Sequence, residues 1–146
     1  MRLRSMLGTA ATAAGLMAVG LTPGAGAAEA GSSHGGLSAR ASAPTVSPSA
    51  DFFHTSGPGY TCPTGNLCAR VWDPTRNAYK VFKFYRCATY SLSYWNGTGG
   101  YANFQTGSRA TATFYGQSGN VLKNVPINEQ STSYNWGPVW KIRNCY

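Results

Sequence analysis

Hydrophobic and polar residues alternate along short stretches of this chain, as they do in half-buried β-strands. Over residues 78–86, Tyr, Val, Lys and Tyr occupy the odd positions, and Ala, Lys, Phe, Phe and Arg occupy the even ones. An extended segment with this order has two different faces. The turn-forming residues 73–77 separate it from an earlier strand predicted at 66–72, so the two strands are expected to form a hairpin.

Similar stretches recur about every 10 to 15 residues, and further strands are predicted at 101–105, 109–115, 121–125 and 138–145. Residues 90–95 are compatible with one helical turn or with an extended corner. A turn is predicted at Asn96-Gly97, reinforced by Gly99-Gly100, and a polar loop at 128–135. No segment has a convincing helical period, and no internal repeat is evident. The pattern predicts an all-β fold, a small antiparallel sandwich or Greek key.

The first 59 residues differ in composition from the rest. Arg2 and Arg4 precede an apolar stretch at 7–21 and a small-residue site near Ala28, which predicts a secretory signal peptide at 1–27. Residues 28–59 are rich in Ala, Ser, Gly and Pro and are predicted to form a flexible arm. The folded domain is then expected at 60–146, and the protein is expected to be secreted and extracellular.

An aromatic pair, Phe52-Phe53, interrupts the polar arm. One interpretation is that the two rings cover an edge of the domain. The other is that they belong to a short linear hook, which binds a partner by adding a strand to it. The sequence leaves both interpretations open.

Four cysteines allow three pairings. We favour Cys62–Cys68, because Pro63 and Gly65 supply the tight turn that a short disulfide loop needs. The remaining pair, Cys87–Cys145, would close a long loop and stabilise the domain by restricting the unfolded chain. Zinc is disfavoured, because the predicted domain contains no histidine.

Catalytic residues are scarce. Asp73 and Glu129 are the acidic residues of the predicted domain, and neither has an obvious second carboxyl group beside it, as acid–base catalysis requires. His34 and His54 both precede the domain, so a Ser or Cys nucleophile lacks a base. Neither a phosphate-binding glycine loop nor an acidic calcium loop is present. We therefore expect no enzymatic activity, no cofactor and no metal.

The remaining candidates for a functional role are charged and aromatic residues on the surface, which could bind a partner. The chain has 12 Lys and Arg against 4 Asp and Glu, but the cations are scattered, which favours attraction to anionic walls or acidic proteins over nucleic-acid binding. Four Trp and nine Tyr exceed what one small core can enclose. Exposed aromatic residues form protein-binding hot spots or stack on carbohydrate. The candidate partner-binding residues are Phe52, Phe53, Trp72, Tyr94, Trp95 and Trp136.

The run Cys62-Pro63-Thr64-Gly65-Asn66-Leu67-Cys68, followed by Trp72 and a basic aromatic strand, resembles the actinobacterial secreted peptidase inhibitors typified by small metalloproteinase inhibitors. The resemblance implies a βγ-crystallin-like Greek-key fold, two disulfides and a role in blocking extracellular proteases. The calcium signature of crystallins, paired Asn or Asp before Ser-Ser, is missing. No reactive loop is identified by motif, so no inhibitory residue is assigned.

A small disulfide-bonded domain behind a long arm is also similar to the adaptor subunits of actinobacterial polymorphic toxin particles. That similarity lies in architecture and implies an arm that docks into a lectin-type subunit. The hypotheses are therefore a peptidase inhibitor, a toxin-complex adaptor, and a carbohydrate or cell-wall binder. Each predicts a protein that is monomeric when free and that binds neither nucleic acid nor membrane.

Overall fold

The structure is a computed structural model, and it describes residues 40–145. Within this range the fold is all-β and consists of two five-stranded antiparallel sheets. Sheet A has the order β1 (Thr45–Ser47), β5 (Ala88–Ser93), β10 (Lys141–Cys145), β7 (Thr111–Tyr115) and β8 (Val121–Pro126). Sheet B has the order β2 (Asp51–Thr55), β4 (Ala78–Phe84), β3 (Leu67–Asp73), β6 (Thr98–Asn103) and β9 (Gln130–Asn135). The predicted antiparallel β-sandwich is confirmed.

The strands form two successive Greek keys. In the first, β3 and β4 form a hairpin, β5 crosses to sheet A, and β6 returns to pair with β3. In the second, β7 and β8 form a hairpin, β9 crosses to sheet B, and β10 returns to pair with β7. The third strand of each key pairs with the last strand of the other key: β5 pairs with β10 in sheet A, and β9 pairs with β6 in sheet B. This repeat was missed in the sequence, because the two keys share a pairing scheme rather than residues.

The main core lies between the two sheets and is built mostly from aromatic side chains. On β4 the alternation places Phe82 and Phe84 inward, where their rings lie stacked with centroids 6.2 Å apart. Trp95 stacks on Phe82 at 5.1 Å, and Trp136 is fully buried. Burial of such large apolar surfaces is the main source of stability in a domain of this size.

A second, smaller cluster lies on the outer face of sheet B. The chain after β2 crosses this face, and Tyr60 and Cys62 pack there with Cys68, Val81 and Ala102. The guanidinium of Arg70, which is also buried, donates hydrogen bonds to the carbonyls of Pro58 and Thr132. The outer face of sheet B is therefore covered by the segment that carries the first disulfide.

Residues 45–55 belong to the sandwich, so the prediction of a flexible arm is wrong for this part of 28–59. Strand β1 pairs with β5 at one edge of sheet A, and β2 pairs with β4 at one edge of sheet B. The indole of Trp95 donates to the carbonyl of Thr45 at 3.0 Å, and the buried ammonium of Lys80 donates to that of Pro44 at 3.0 Å. The segment is ordered by backbone pairing and by these two bonds, which its own composition does not reveal. Residues 28–39 and the predicted signal peptide lie outside the described residues.

Three segments differ from, or narrow, their local predictions. Residues 90–95 contain an extended strand rather than a helical turn. Gly99 and Gly100 lie inside β6 rather than in a turn, at a position where another backbone approaches closely. The predicted polar loop at 128–135 contains β9, an edge strand that is polar because much of it faces solvent.

The structure contains both favoured disulfides, Cys62–Cys68 and Cys87–Cys145, so the predicted pairing is confirmed. Their Cα atoms are 5.8 Å and 4.2 Å apart. Within residues 40–145, no helix is long and apolar enough to cross a membrane.

Candidate protein-binding surface

Two large aromatic side chains project from one end of the sandwich. Tyr94 follows β5 and is 61% exposed, and Trp140 precedes β10 and is 47% exposed. Because β5 and β10 are antiparallel neighbours, the end of one lies beside the beginning of the other. The two residues line a single depression of about 370 Å³ together with Leu92 and Val139.

The corner that follows β5 forces Tyr94 outward. Its φ is 63°, in the left-handed region that a bulky side chain rarely adopts. The next residue, Trp95, is inserted into the core, where its indole is hydrogen bonded to Thr45. Gly97 completes the corner, and its carbonyl accepts a hydrogen bond from the Trp136 amide at 2.9 Å. Tyr94 is therefore held on a rigid corner at a cost of about 1–2 kcal/mol in backbone strain.

Trp140 is held equally firmly through its backbone. Its amide donates to the carbonyl of Tyr115 at 2.8 Å, and its carbonyl accepts from the Leu92 amide at 2.9 Å. Its indole also borders a second depression of about 460 Å³, which Leu122 and Pro138 help to line. We call Tyr94, Leu122, Pro138 and Trp140 the aromatic end of the domain.

The six predicted partner-binding residues do not form one surface. Trp95 and Trp136 are 4% and 0% exposed, so their prediction as contact residues is wrong, because both rings are buried in the core. Trp72 is 37% exposed and packs edge to face on Tyr79.

Phe52 and Phe53 are divided between the two faces of β2. Phe52 is 50% exposed, with the Lys80 ammonium 4.0 Å from its ring centroid, and Phe53 packs into the smaller cluster. Of the six residues, Tyr94 alone belongs to the aromatic end.

Sequence reasoning missed Trp140. Strict alternation along the predicted strand 138–145 gives it the same parity as Ile142, which is fully buried. The strand begins only at Lys141, so the alternation does not extend back to Trp140. The exposed Tyr85 was missed as well; it lies after β4, at the end of the sandwich where β5 begins.

The carboxylates of the described residues are each engaged locally. Asp51 lies 3.9 Å from the Lys83 ammonium, and Glu129 lies 2.7 Å from that of Lys123. The Lys123 hydrogen bond, followed by one from the Tyr101 hydroxyl, holds the pKa of Glu129 below its usual range. Asp73 is buried beside His54 and Thr75. Residues 40–145 contain no group of three or more side chains arranged to hold a metal ion.

No protein-family model, curated protein or solved structure matches this chain. A functional hypothesis for this domain therefore rests on the geometry of the aromatic end.

Proposed function

We propose that this domain is an extracellular protein-binding module that inhibits a peptidase, and that the aromatic end is its contact surface. The observation that carries the proposal is the exposed, strained Tyr94 beside the exposed Trp140. Strained backbone in a folded domain is retained where the surroundings over-determine it, and such positions cluster at functional sites. Large aromatic side chains at the centre of an interface supply much of its binding energy.

The rigidity of the surface favours inhibition over loose association. Both residues are fixed by core packing or backbone hydrogen bonds before any partner arrives, so little conformational freedom remains to be lost on binding. The depression between them has room for a partner side chain. A preorganised surface also resists the backbone opening that a peptidase needs for cleavage.

An extracellular location agrees with the covalent structure. Both disulfides are formed, and disulfides persist mainly in oxidising compartments. The N-terminal sequence has the charge and apolar pattern of a secretory signal.

The test is inhibition of a panel of purified extracellular metallopeptidases and serine peptidases. We expect the protein to inhibit at least one of them and to remain intact after prolonged incubation. Tyr94→Ala and Trp140→Ala should each raise the inhibition constant by about 20-fold or more, as loss of a hot-spot aromatic does. Tyr85→Ala is the matched control, because Tyr85 is 70% exposed at the other end of the sandwich. It should change the constant by no more than about threefold.

Cleavage of the protein as an ordinary substrate, or an equal effect of Tyr85→Ala, would contradict the proposal. The adaptor hypothesis makes a different prediction, because it assigns binding to Phe52. Deleting everything before Gly57 would not separate the two, since the deletion would also remove β1 and β2. Phe52→Ala does separate them: loss of a partner in this variant but not in Tyr94→Ala would favour the adaptor.

A further inference from the structure

The outer face of sheet A is polar and open, whereas that of sheet B is covered. Antiparallel register partners project to the same side of a sheet. Arg143 on the central strand β10 lies between Thr89 of β5 and Thr113 of β7, and Lys141 lies between Ser91 and Tyr115. The remaining hydroxyl-bearing residues of this face are Thr45, Ser47, Ser93 and Thr111.

Three cations lie on or beside the central strand of this face. Lys141 and Arg143 are two residues apart on β10, which separates their Cα atoms by roughly 7 Å. Arg109 and Arg143 line a common depression of about 190 Å³ with Thr111 and Thr113. The cations therefore form a row that runs towards Cys145, and hydroxyl groups flank the row on both sides.

The row has no carboxylate beside it among residues 40–145. The three acidic residues of this range pair elsewhere, Asp51 with Lys83, Asp73 with His54, and Glu129 with Lys123. The strands β1, β5, β10 and β7 thus present a positive stripe that no carboxylate of residues 40–145 compensates and that hydroxyl groups flank. Such a stripe is electrostatically complementary to a linear polyanion.

We propose that this face binds a phosphate-bearing glycan polymer. The cations meet its phosphate groups, and the serine and threonine hydroxyls exchange hydrogen bonds with its sugar hydroxyls. A single-stranded nucleic acid would require aromatic stacking platforms, but Tyr115 is the one aromatic residue among the register partners of β10 on this face. A membrane would require an apolar stripe, which those strands do not present outward. The proposal does not depend on peptidase inhibition.

Calorimetric titration with phosphorylated dextran, and with unmodified dextran as its uncharged counterpart, tests the proposal. At low salt the protein should bind phosphorylated dextran and not dextran, and added salt should weaken binding. The variant Arg109→Gln/Lys141→Gln/Arg143→Gln should lose at least about tenfold in affinity. The control Arg76→Gln/Lys83→Gln/Arg86→Gln removes the same net charge away from the face and should lose less than about threefold.

Equal losses in the two triple variants would overturn the proposal, since net charge alone would then explain binding. Equal binding of unmodified dextran would overturn the role of phosphate. Tighter binding of oligo(dT) or of phosphatidylglycerol vesicles than of phosphorylated dextran, with the same dependence on the three cations, would assign the face to another class of partner. Melting temperatures of both variants should match the parent, because all six side chains lie outside the main core.

Discussion

Trp95 and Trp136 meet edge to face in the middle of the sandwich, with ring centroids 5.0 Å apart and an interplanar angle of 86°. Each residue follows the third strand of its Greek key, β5 or β9, and so occupies the equivalent corner. Each indole N–H donates to a distant backbone carbonyl, that of Thr45 or that of Arg70. The pair therefore joins the two keys, the N-terminal segment and β3 at a single point.

Trp136→Phe should lower the free energy of unfolding by roughly 2–4 kcal/mol. The smaller ring leaves a cavity and removes the 2.8 Å hydrogen bond to the Arg70 carbonyl, which is buried. Urea denaturation followed by circular dichroism measures the loss. Trp140→Phe is the control and should cost about 0.5 kcal/mol or less. Similar losses in the two variants would show that the buried Trp136 indole contributes no more to stability than the exposed Trp140 indole.

Gly99→Ala should be severely destabilising, by more than about 3 kcal/mol. A Cβ atom at Gly99 would overlap the Arg70 carbonyl oxygen and lie 2.5 Å from Nε1 of Trp136. Gly57→Ala makes the same chemical change at a position with no atom within 4 Å of the new Cβ, and should be nearly neutral. The comparison requires only melting curves. A well-folded Gly99→Ala protein would mean that β3 and β6 can separate without cost.

The two disulfides should differ in their contribution to stability. Cys87 and Cys145 are 58 residues apart, and Cys62 and Cys68 are 6 apart. Because loop-closure entropy grows with loop length, Cys145→Ser should cost roughly 2–5 kcal/mol, and Cys68→Ser should cost less. Burial of Cys68 adds a penalty for the introduced hydroxyl, so Cys62→Ala/Cys68→Ala is the cleaner comparison with Cys87→Ala/Cys145→Ala. A larger loss in the Cys62/Cys68 pair would refute the entropic ranking.

Tyr94→Gly should raise stability while it weakens peptidase inhibition. Glycine adopts a φ of 63° without strain, and the gain of about 1–2 kcal/mol exceeds the roughly 0.4–1 kcal/mol lost through the more flexible unfolded chain. The side chain that is removed is mostly exposed, so little packing is lost. The melting temperature and the inhibition constant should therefore both rise. A variant that loses both stability and inhibition would show that Tyr94 has a structural role instead.

Asp73 should make the domain sensitive to acid. Burial raises the pKa of this carboxyl group, but hydrogen bonds from the Thr75 hydroxyl, His54 and the Thr75 amide outweigh burial and hold the pKa below its usual range. A lowered pKa in the folded state stabilises the domain above the unfolded value, about 3.9, and this stability is lost as the pH falls through the folded value.

Urea denaturation at neutral pH and near pH 2 tests this expectation. The difference in stability between the parent and Asp73→Asn should be large at neutral pH and should shrink in acid. A difference that is independent of pH would exclude Asp73 as the source.

The parts of this fold that the sequence predicts are those with local causes. The alternation around Phe82 and Phe84 determines which face of β4 is buried, and Pro63 and Gly65 permit the short Cys62–Cys68 loop. The parts it did not predict depend on distant contacts. Strand β9 is polar and is defined by pairing with β6, and β1 exists because β5 and Trp95 offer it partners.

The residues of the candidate site are likewise predictable from the sequence only in part. The excess of aromatic residues predicts that some must be exposed, and Tyr94 is. Trp95 could not be distinguished from its neighbour by composition, because the left-handed corner decides which of the two rings enters the core. Trp140 is exposed because β10 begins one residue after it, a boundary that local patterns do not define.

The last of the described strands along the chain, β10, is the middle strand of sheet A, where it separates β5 from β7. Until residues 141–145 are available, those two strands have no common neighbour, and Cys87 has no partner. A ribosome delivers these residues after all the other described strands, so sheet A stays incomplete until they have been made. In a chain exported with its N-terminus first, β5 and β7 would cross before β10, and sheet A would be completed only after β10 had followed them.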